Sequence, residues 1–438
     1  MRLHIFQSAQ GDCLLLEADS GELVLCDGGM NTSMRMHVRE ALAELREKGR
    51  EIEYVYVSHI DQDHISGVLQ LLEDEALWRV YDHHRQNGNG VKKPKVPRPP
   101  VIKGIFHNAF RDQVSENAGA IGSLLAASAS SLYAAGVPEL AHRAAEMRNI
   151  AASIPEALKV SRLAAEDALD IPLNRPPGSD GPAKLMYAGQ GVQSFEVGSM
   201  RFTLVGPTEE ELRKLRDGWQ NWLRTESGRE AVRKIRSELR KRIDEFSAGA
   251  AGYAPFDLSR WNGIPNHEGV TVPNIASLMF MVEENDQRLL LTGDSQQDII
   301  LGGLRRAGFL DDGYVHLDVL KVQHHGSEHN LDGDFARKVS ADHYVFCGNG
   351  EHGNPERSVI DLVYASRMGS DDDLALAPEA RDRDFHFWFS TDIGWGPATE
   401  EAVRNFETMK EHVAELQERA GGRLHVHYND AVSSALEI

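Results

Sequence analysis

Short apolar runs recur through the first hundred residues, and the first three are followed by turns that contain glycine and aspartate. Leu3-His4-Ile5-Phe6, Cys13-Leu14-Leu15-Leu16-Glu17 and Glu22-Leu23-Val24-Leu25-Cys26 read as strands, with turns at Gln10-Gly11-Asp12 and Asp19-Ser20-Gly21. The third run ends in Asp27-Gly28-Gly29, where glycine lets backbone approach a site closely. The period then changes. Asn31 or Thr32 can cap a helix that runs to about Lys48, with Val38, Ala41, Leu42 and Leu45 on its apolar face and Gly49 as the stop. Glu53-Tyr54-Val55-Tyr56-Val57 is the next strand, and Ile65, Val68, Leu69 and Leu72 predict a helix over 65–78. Residues 83–100 break the pattern. His83-His84 and Lys92-Lys93-Pro94-Lys95-Val96-Pro97-Arg98-Pro99-Pro100 predict a basic, proline-rich loop, because proline lacks the backbone donor a helix interior or central strand needs. Val101-Ile102-Lys103-Gly104-Ile105-Phe106 then reads as a strand running into His107-Asn108.

Over 111–169 the composition turns to Ala, Ser, Leu and Glu and predicts two or three helices, followed by a loop over 172–182. Strands return at 193–197 and 200–205. A helix from Thr208 to about Phe246 carries dense charge of both signs, the pattern of a solvated face. Two apolar runs, 274–282 and 288–291, form a hairpin that ends in Thr292-Gly293-Asp294, and a helix follows over 296–307. The run Val315-His316-Leu317-Asp318-Val319-Leu320-Lys321-Val322 leads into Gln323-His324-His325-Gly326-Ser327. Tyr344-Val345-Phe346-Cys347 precedes a loop with His352-Gly353-Asn354-Pro355. Late strands at 384–390 and 423–428 flank an amphipathic helix over 399–420. The organisation expected is a half-core at 1–110, a helical insertion at 111–192 and a second half-core at 193–438 with the charged helix near 208–246.

Composition narrows the function. The chain has 438 residues, 41% of them apolar, and a formal net charge of −20. Such a protein repels bulk nucleic acid unless cations are focused locally. Cys13, Cys26 and Cys347 are too few and too scattered for a disulfide framework or a thiolate metal site, and read as small buried residues. No apolar run reaches the roughly 20 residues that span a bilayer, and no basic-then-apolar leader opens the chain. The expectation is a cytoplasmic protein without a membrane partner.

The chemistry concentrates in Ser58-His59-Ile60-Asp61-Gln62-Asp63-His64, at the junction of a strand and a helix. His59, Asp61, Asp63 and His64 offer imidazole nitrogen and carboxylate oxygen together, which suits Zn, Mn or Fe. A merely solvated turn does not call for alternating Asp and His straight out of a buried strand.

This stretch resembles the second motif of the metallo-β-lactamase superfamily, usually His-x-His-x-Asp-His, with Asp61 in place of the second His. Together with Thr292-Gly293-Asp294 and His324-His325-Gly326-Ser327, it resembles the branch that includes the hydrolase domains of ComEC-type competence proteins. Relatives carry Gly-His-Pro where this chain has His352-Gly353-Asn354-Pro355, so the histidine is displaced. The resemblance implies an α/β fold, an αββα sandwich with a helical insertion. It implies two divalent ions, Zn²⁺ or Mn²⁺ with Mg²⁺ also open. The first would take His59, Asp61 and His107. The second would take Asp63, His64 and one of His324/His325, with His325 the candidate ligand and Asp294 bridging. Asp12 and Asp27 would hydrogen-bond the ligands. Asp63, His324, His325 and His352 are the candidate catalytic residues. Lys92, Lys93, Lys95, Asn108 and Ser327 are candidate substrate contacts. Asp61 adds a negative charge and a hard oxygen donor, which shifts preference toward Mn²⁺ or Mg²⁺. The expected activity is a phosphodiesterase, a nuclease on DNA that uses hydroxide generated between two metals. The expected setting is a bacterial defence module, with an activating partner docking on the insertion. A hydrolase of small esters, lactones or thioesters on the same ions is the alternative, and a non-catalytic scaffold with a degenerate site is a third reading.

Overall fold

The computed structural model describes residues 1–88, 90–108, 156, 159–161, 163–179, 181, 185–189, 191, 193–213, 276–310, 312–395 and 398–438. The expectations for helices over 111–155 and for the charged helix beyond residue 213 lie outside them.

Two sheets form the centre. The first has strand order β14-β1-β2-β3-β4-β5, built from β1 (Arg2–Phe6), β2 (Leu14–Glu17), β3 (Leu23–Cys26), β4 (Tyr54–Val57), β5 (Ile105–His107) and β14 (Ser433–Glu437). The second runs β13-β12-β11-β10-β9-β8-β7-β6. Its strands are β6 (Ser194–Val197), β7 (Met200–Gly206), β8 (Met279–Glu284), β9 (Gln287–Leu291), β10 (Val315–Lys321), β11 (Val339–Phe346), β12 (Phe385–Phe389) and β13 (Leu424–Tyr428). Strand residues alternate between two faces, and the core follows that alternation. Leu3, Ile5, Leu14, Leu16, Val24 and Tyr56 of the first sheet meet Phe202, Leu204, Phe280, Val282 and Val319 of the second. On the outer face of the first sheet, Leu15, Leu25, Val55 and Val57 pack against α1 (Arg39–Glu47) and α2 (Gln62–Gln86). On the outer face of the second, Met281, Leu320, Phe346 and Phe387 pack against α3 (Gln297–Arg306), α4 (Gly333–Lys338), α5 (Arg357–Met368) and α6 (Glu400–Arg419). The layers are therefore α, β, β, α. Asn429 ties the sheets at one end, donating from Nδ2 to the carbonyls of Ile5 (3.0 Å) and Ser390 (3.3 Å).

Several local expectations need correction. His83 and His84 belong to α2, not to the loop, because nothing before Gly88 breaks the helix; Gly88, at φ +73°, does. Asn31 and Thr32 do not cap from outside. They lie within a helical run that starts at Asn31, behind Met30, and continues through a π-helical segment (Met34–Val38) into α1. The strand before Cys347 starts at Val339, earlier than its apolar run suggests. Elements α4, α5 and β14 carry no expectation from the sequence. Strand β14 pairs with β1 in antiparallel register, Arg2 opposite Glu437. All three cysteines are buried and free. No helix among the described residues is long and apolar enough to cross a membrane.

Candidate metal centre

Strands β3, β4 and β5 run parallel, as do β9, β10 and β11. Side chains that follow their C-terminal ends therefore gather at one edge of the sandwich, where open parallel sheets commonly bind ligands. Asp27 follows β3, His59 follows β4, His107 ends β5, Asp294 follows β9, and His324-His325 follows β10. Two close backbone approaches complete the convergence. A Cβ on Gly67 would stand 1.9 Å from the carbonyl oxygen of Gly28, and one on Gly11 1.7 Å from that of Asp63. Only glycine lets the second turn of α2 sit on the Asp27 loop and the Asp12 turn sit on Asp63. Gly67→Ala is expected to cost about 1–3 kcal/mol of stability by overpacking. Thermal melting checks the loss, and a metal titration should show weakened binding because Asp27 and His64 move apart.

The Asp294 carboxylate is the hub. Its Oδ2 lies 3.7 Å from His59 Nε2, 3.4 Å from His64 Nε2, 3.7 Å from His324 Nε2 and 3.3 Å from His325 Nε2. Asp61 Oδ2 is 3.6 Å from His59 Nε2, and Asp63 Oδ2 is 3.2 Å from His325 Nε2. His64 Nε2 and His325 Nε2 face each other at 3.3 Å.

The other nitrogen of each ring fixes its tautomer. His64 Nδ1 lies 2.8 Å from Asp27 Oδ2 and His325 Nδ1 lies 3.1 Å from Asp12 Oδ1, so each Nδ1 donates to a carboxylate. Ser58 Oγ donates to Asp27 Oδ2 (2.6 Å) and so accepts from His59 Nδ1 (3.0 Å). Asn330 Nδ2 donates to the carbonyls of Asp294 and Ser295, which turns its Oδ1 to accept from His324 Nδ1 at 2.6 Å. All four rings thus present Nε2 to Asp294. This is how second partners orient metal-ligating histidines.

Charge tells the same story. Burial opposes ionisation of Asp12, but Lys321, His325 and His64 outweigh it and hold the carboxyl at about 2. Burial likewise opposes charge on Asp294, yet the surrounding imidazoles keep it well below the usual carboxylate range. Against burial, Asp294, Asp27, Asp12 and Asp63 raise His64, and Asp294 and Asp12 raise His325. Lys321 sits beneath, bonded to Asp12 Oδ2, donating to the Gly293 carbonyl at 3.1 Å and lying 3.6 Å from Asp294 Oδ1. Asp12, Asp27, Asp61, Asp63 and Asp294 against Lys321 leave four negative charges, which two divalent ions would balance. His59 Nε2, Asp61 Oδ1 and Asp294 Oδ1 are buried without a hydrogen-bond partner among the described residues, and buried polar atoms ordinarily have one. Asp12, His64, Asp294 and His325 each offer a ligand atom within 4.8 Å of the others. The donor set fits divalent metal. Asp12 is better placed to orient than to ligate, since its two oxygens are taken by Lys321 and His325 Nδ1.

The remaining candidates are dispersed. His107 lies across from Val57 in the β4–β5 register, two residues before His59. It is buried, neither of its ring nitrogens has a partner among the described residues, and burial pushes it down to about 4. Asn108 pairs with the backbone of Met186 through both amide atoms at 2.7 Å, and Ser327 is buried with its N–H on the His324 carbonyl. His352 is exposed, at φ +57°. Lys92, Lys93 and Lys95 are exposed and sit away from the hub. Lys93 Nζ lies 5.3 Å from the Trp78 ring, and Trp78 Nε1 donates to the Val96 carbonyl. The loop is thereby fastened about 24 Å along α2 from its start at Gln62. Sequence reasoning passes over Lys321, Ser58 and Asn330. A lysine closing the apolar run Val319-Leu320 is the one available signal.

Consecutive left-handed residues aim the histidine pair. His324 (φ 47°), His325 (φ 57°) and Gly326 (φ 87°) follow one another, and strain at non-glycine residues of this kind costs about 1–3 kcal/mol each and collects at functional sites.

A family model described as Metallo-beta-lactamase superfamily matches residues 8–108, so this stretch is similar to that superfamily. It carries the Asp12 turn, the Asp27 loop and the His59–His64 cluster. Among solved structures, the chain is similar to Zn(2+)-bound PqqB from Methylobacterium extorquens. The alignment covers 100% of each chain at 11% identity with a TM-score of 0.32, a likeness too slight to bear on function. No curated protein matches.

Proposed function

We propose that this protein is a metal-dependent hydrolase of phosphodiesters, acting on DNA. The observation that carries it is the hub, four Nε2 atoms turned on one Asp294 oxygen with Asp61 and Asp63 beside them. Two ions would be held by His59, Asp61 and His107 on one side and by Asp63, His64 and His325 on the other, with Asp294 between. Divalent ions in such a site polarise a phosphoryl oxygen and lower the pKa of water to about 7. The chain supplies the rest. Asp27, Ser58 and Asp12 hold the imidazoles in the required tautomer. His324 is the most exposed of the four rings, 22% against 5% or less, so its Nε2 is the one placed to meet substrate. Asn330 keeps the proton on its Nδ1.

The lysine loop supports a polymer over a small ester. Lys92, Lys93 and Lys95 can contribute only to a substrate long enough to reach from the hub to Trp78, on the order of 24 Å. Fixed there, they concentrate positive charge that a protein of net charge −20 otherwise lacks. Membership of the ComEC-like branch, a role as a defence effector and activation by a partner at 111–192 belong to the same proposal and rest on the motif resemblance; a cytoplasmic setting is the default that goes with them.

The test is elemental analysis together with cleavage of single- and double-stranded DNA in Mn²⁺ and in EDTA. Two metals per chain and cleavage abolished by EDTA are expected. Two metals with hydrolysis of small esters but no phosphodiester cleavage would overturn the substrate assignment, and protein without bound metal would overturn the centre.

A further inference from the structure

A ladder of imidazoles lies at the far end of the second sheet. Phe385, Phe387 and Phe389 of β12 and Leu424 and Val426 of β13 face the outer helices. The alternate residues His386, Trp388, His425 and His427 therefore share the opposite face, with His343 beside them on β11. Register places His343 opposite His386, His386 opposite His425, and Trp388 opposite His427. The rings stack across the strands. His343 and His386 are 4.4 Å apart, His386 and His425 4.7 Å, and Trp388 and His427 3.9 Å. All five are half-buried, so protons reach them from solvent. Strand β13 is the last of its sheet and, among the described residues, pairs with β12 alone.

Two hydrogen bonds in the ladder need a nitrogen without a proton. Trp388 Nε1 donates to His343 Nδ1 at 3.1 Å, tying β12 to β11. His386 Nδ1 and His427 Nε2 lie 3.0 Å apart, so one donates and the other accepts, tying β12 to β13. Protonating either acceptor turns it into a donor and breaks the bond. Positive rings directly opposite on neighbouring strands also repel. The surrounding charges offset little of this. Asp384 Oδ2 stands 3.1 Å from His425 Nε2, but Asp342 is engaged by His316 Nε2 at 3.0 Å, by Arg383, and by Arg367 at 3.8 Å. Arg423 is turned to the Arg383 carbonyl at 3.0 Å. From the first sheet, Leu436 and Ile438 bring apolar side chains to the core on which Trp388 packs, and Glu437 pairs with Arg2.

We propose that this ladder is an acid-sensitive latch: protonation of the His386–His427 pair and of His343 frees edge strand β13 and, with it, the Asn429 tie between the two sheets. Asn429 follows β13 directly, and its N–H reaches the Phe389 carbonyl at 3.1 Å. Besides its two Nδ2 bonds, its carbonyl accepts from Nε2 of Gln7, which leads into the Asp12 turn, at 2.6 Å. Opening β13 therefore loosens the first sheet as well as the second. Burial and the neighbouring imidazoles push His386 and His343 down to about 4, and they lower His427 too. A histidine lowered in the closed state stabilises that state fully above its open value of about 6.5. The contribution is lost as pH falls from there toward 4. The latch is shut at neutral pH and loosens across that window.

The experiment is hydrogen–deuterium exchange of the full chain at pH 7 and pH 5, corrected for the intrinsic rate, with peptides over β13 and, as internal control, β8. One ring at about 4 closed and about 6.5 open favours opening roughly 30-fold at pH 5, before its partial exposure is discounted. The β13 amides should therefore lose protection about tenfold or more while β8 keeps its own. His386→Asn/His427→Gln sets amides where Nδ1 and Nε2 stood. The amides bond to each other without titrating, so β13 should stay protected at pH 5. His427→Gln alone, whose Oε1 accepts from His386 in either protonation state, should shrink the loss and serves if the pair fails to fold. Three outcomes overturn the latch: a parent β13 equally protected at both pH values, equal losses in β13 and β8, or a folded variant that opens as the parent does. None of these readings involves phosphodiester cleavage, so the latch and the Asp294 hydrolase stand or fall separately.

Discussion

Asp294→Asn is expected to lower metal-dependent turnover at least about 10³-fold, on the order of 4 kcal/mol of barrier, without unfolding the chain. The substitution keeps the size of the side chain and removes the one negative charge that faces His59, His64, His324 and His325 together. Metal content should fall with activity, because two cations held there as proposed would need an anion between them. Cleavage rate, elemental analysis and circular dichroism on one preparation check this. A folded Asp294→Asn protein with full activity and full metal content would falsify the centre. Asp63→Ala is the companion test, and it too should abolish turnover.

Lys321→Met is expected to give the largest loss of stability in metal-free protein, about 3–5 kcal/mol, the cost of leaving a buried charge without its partner. Lys321 is 2% exposed, and it holds Asp12 while facing Asp294. Burial disfavours its charge, but Asp12 and Asp294 raise its pKa above the ordinary lysine value, so it stays ammonium throughout the neutral range. With methionine there, Asp12 loses its counter-charge and His325 loses a fixed acceptor. Denaturant unfolding in chelator measures the loss. Added Mn²⁺ should restore much of it, since the ions supply the missing positive charge, and Asp12→Asn/Lys321→Met should be milder than Lys321→Met alone. An identical loss with and without Mn²⁺ would show that Lys321 acts by packing rather than by charge.

Much of this arrangement is legible in the order of residues along the chain. The alternating runs mark the strands, and the change of period after Val57 locates the His59–His64 turn. Thr292-Gly293-Asp294 and His324-His325 pair with it through the resemblance. What is not legible depends on contacts far apart in the chain. Lys321 looks like a strand residue until Asp12 arrives from 309 positions away. Asn330 looks like a loop residue until its amide is seen reaching the Asp294 carbonyl, 36 positions back, while it holds His324. Strand β14 has a polar sequence of no marked pattern, and only pairing with β1, 435 residues distant at Arg2 and Glu437, gives it an edge to join. The place of the lysine loop is likewise set by contacts its composition does not announce, since Trp78 and the carboxylates of Glu75 and Asp82, which hold Arg98, fix it to the far part of α2.

The hub joins residues from both sheets. His64 sits on α2, packed on the first sheet, and His325 follows β10 of the second, and they meet at 3.3 Å across 261 positions of chain. An ion clasped by both would act as a reversible staple, closing a loop of that length. Chain-entropy arguments for such a closure, developed for disulfides, give on the order of 5–6 kcal/mol. Metal supply would then set how long the two sheets stay together as well as how fast the protein turns over. A cell short of the ion would hold a protein that is both idle and easier to pull apart, and so more readily cleared by proteases.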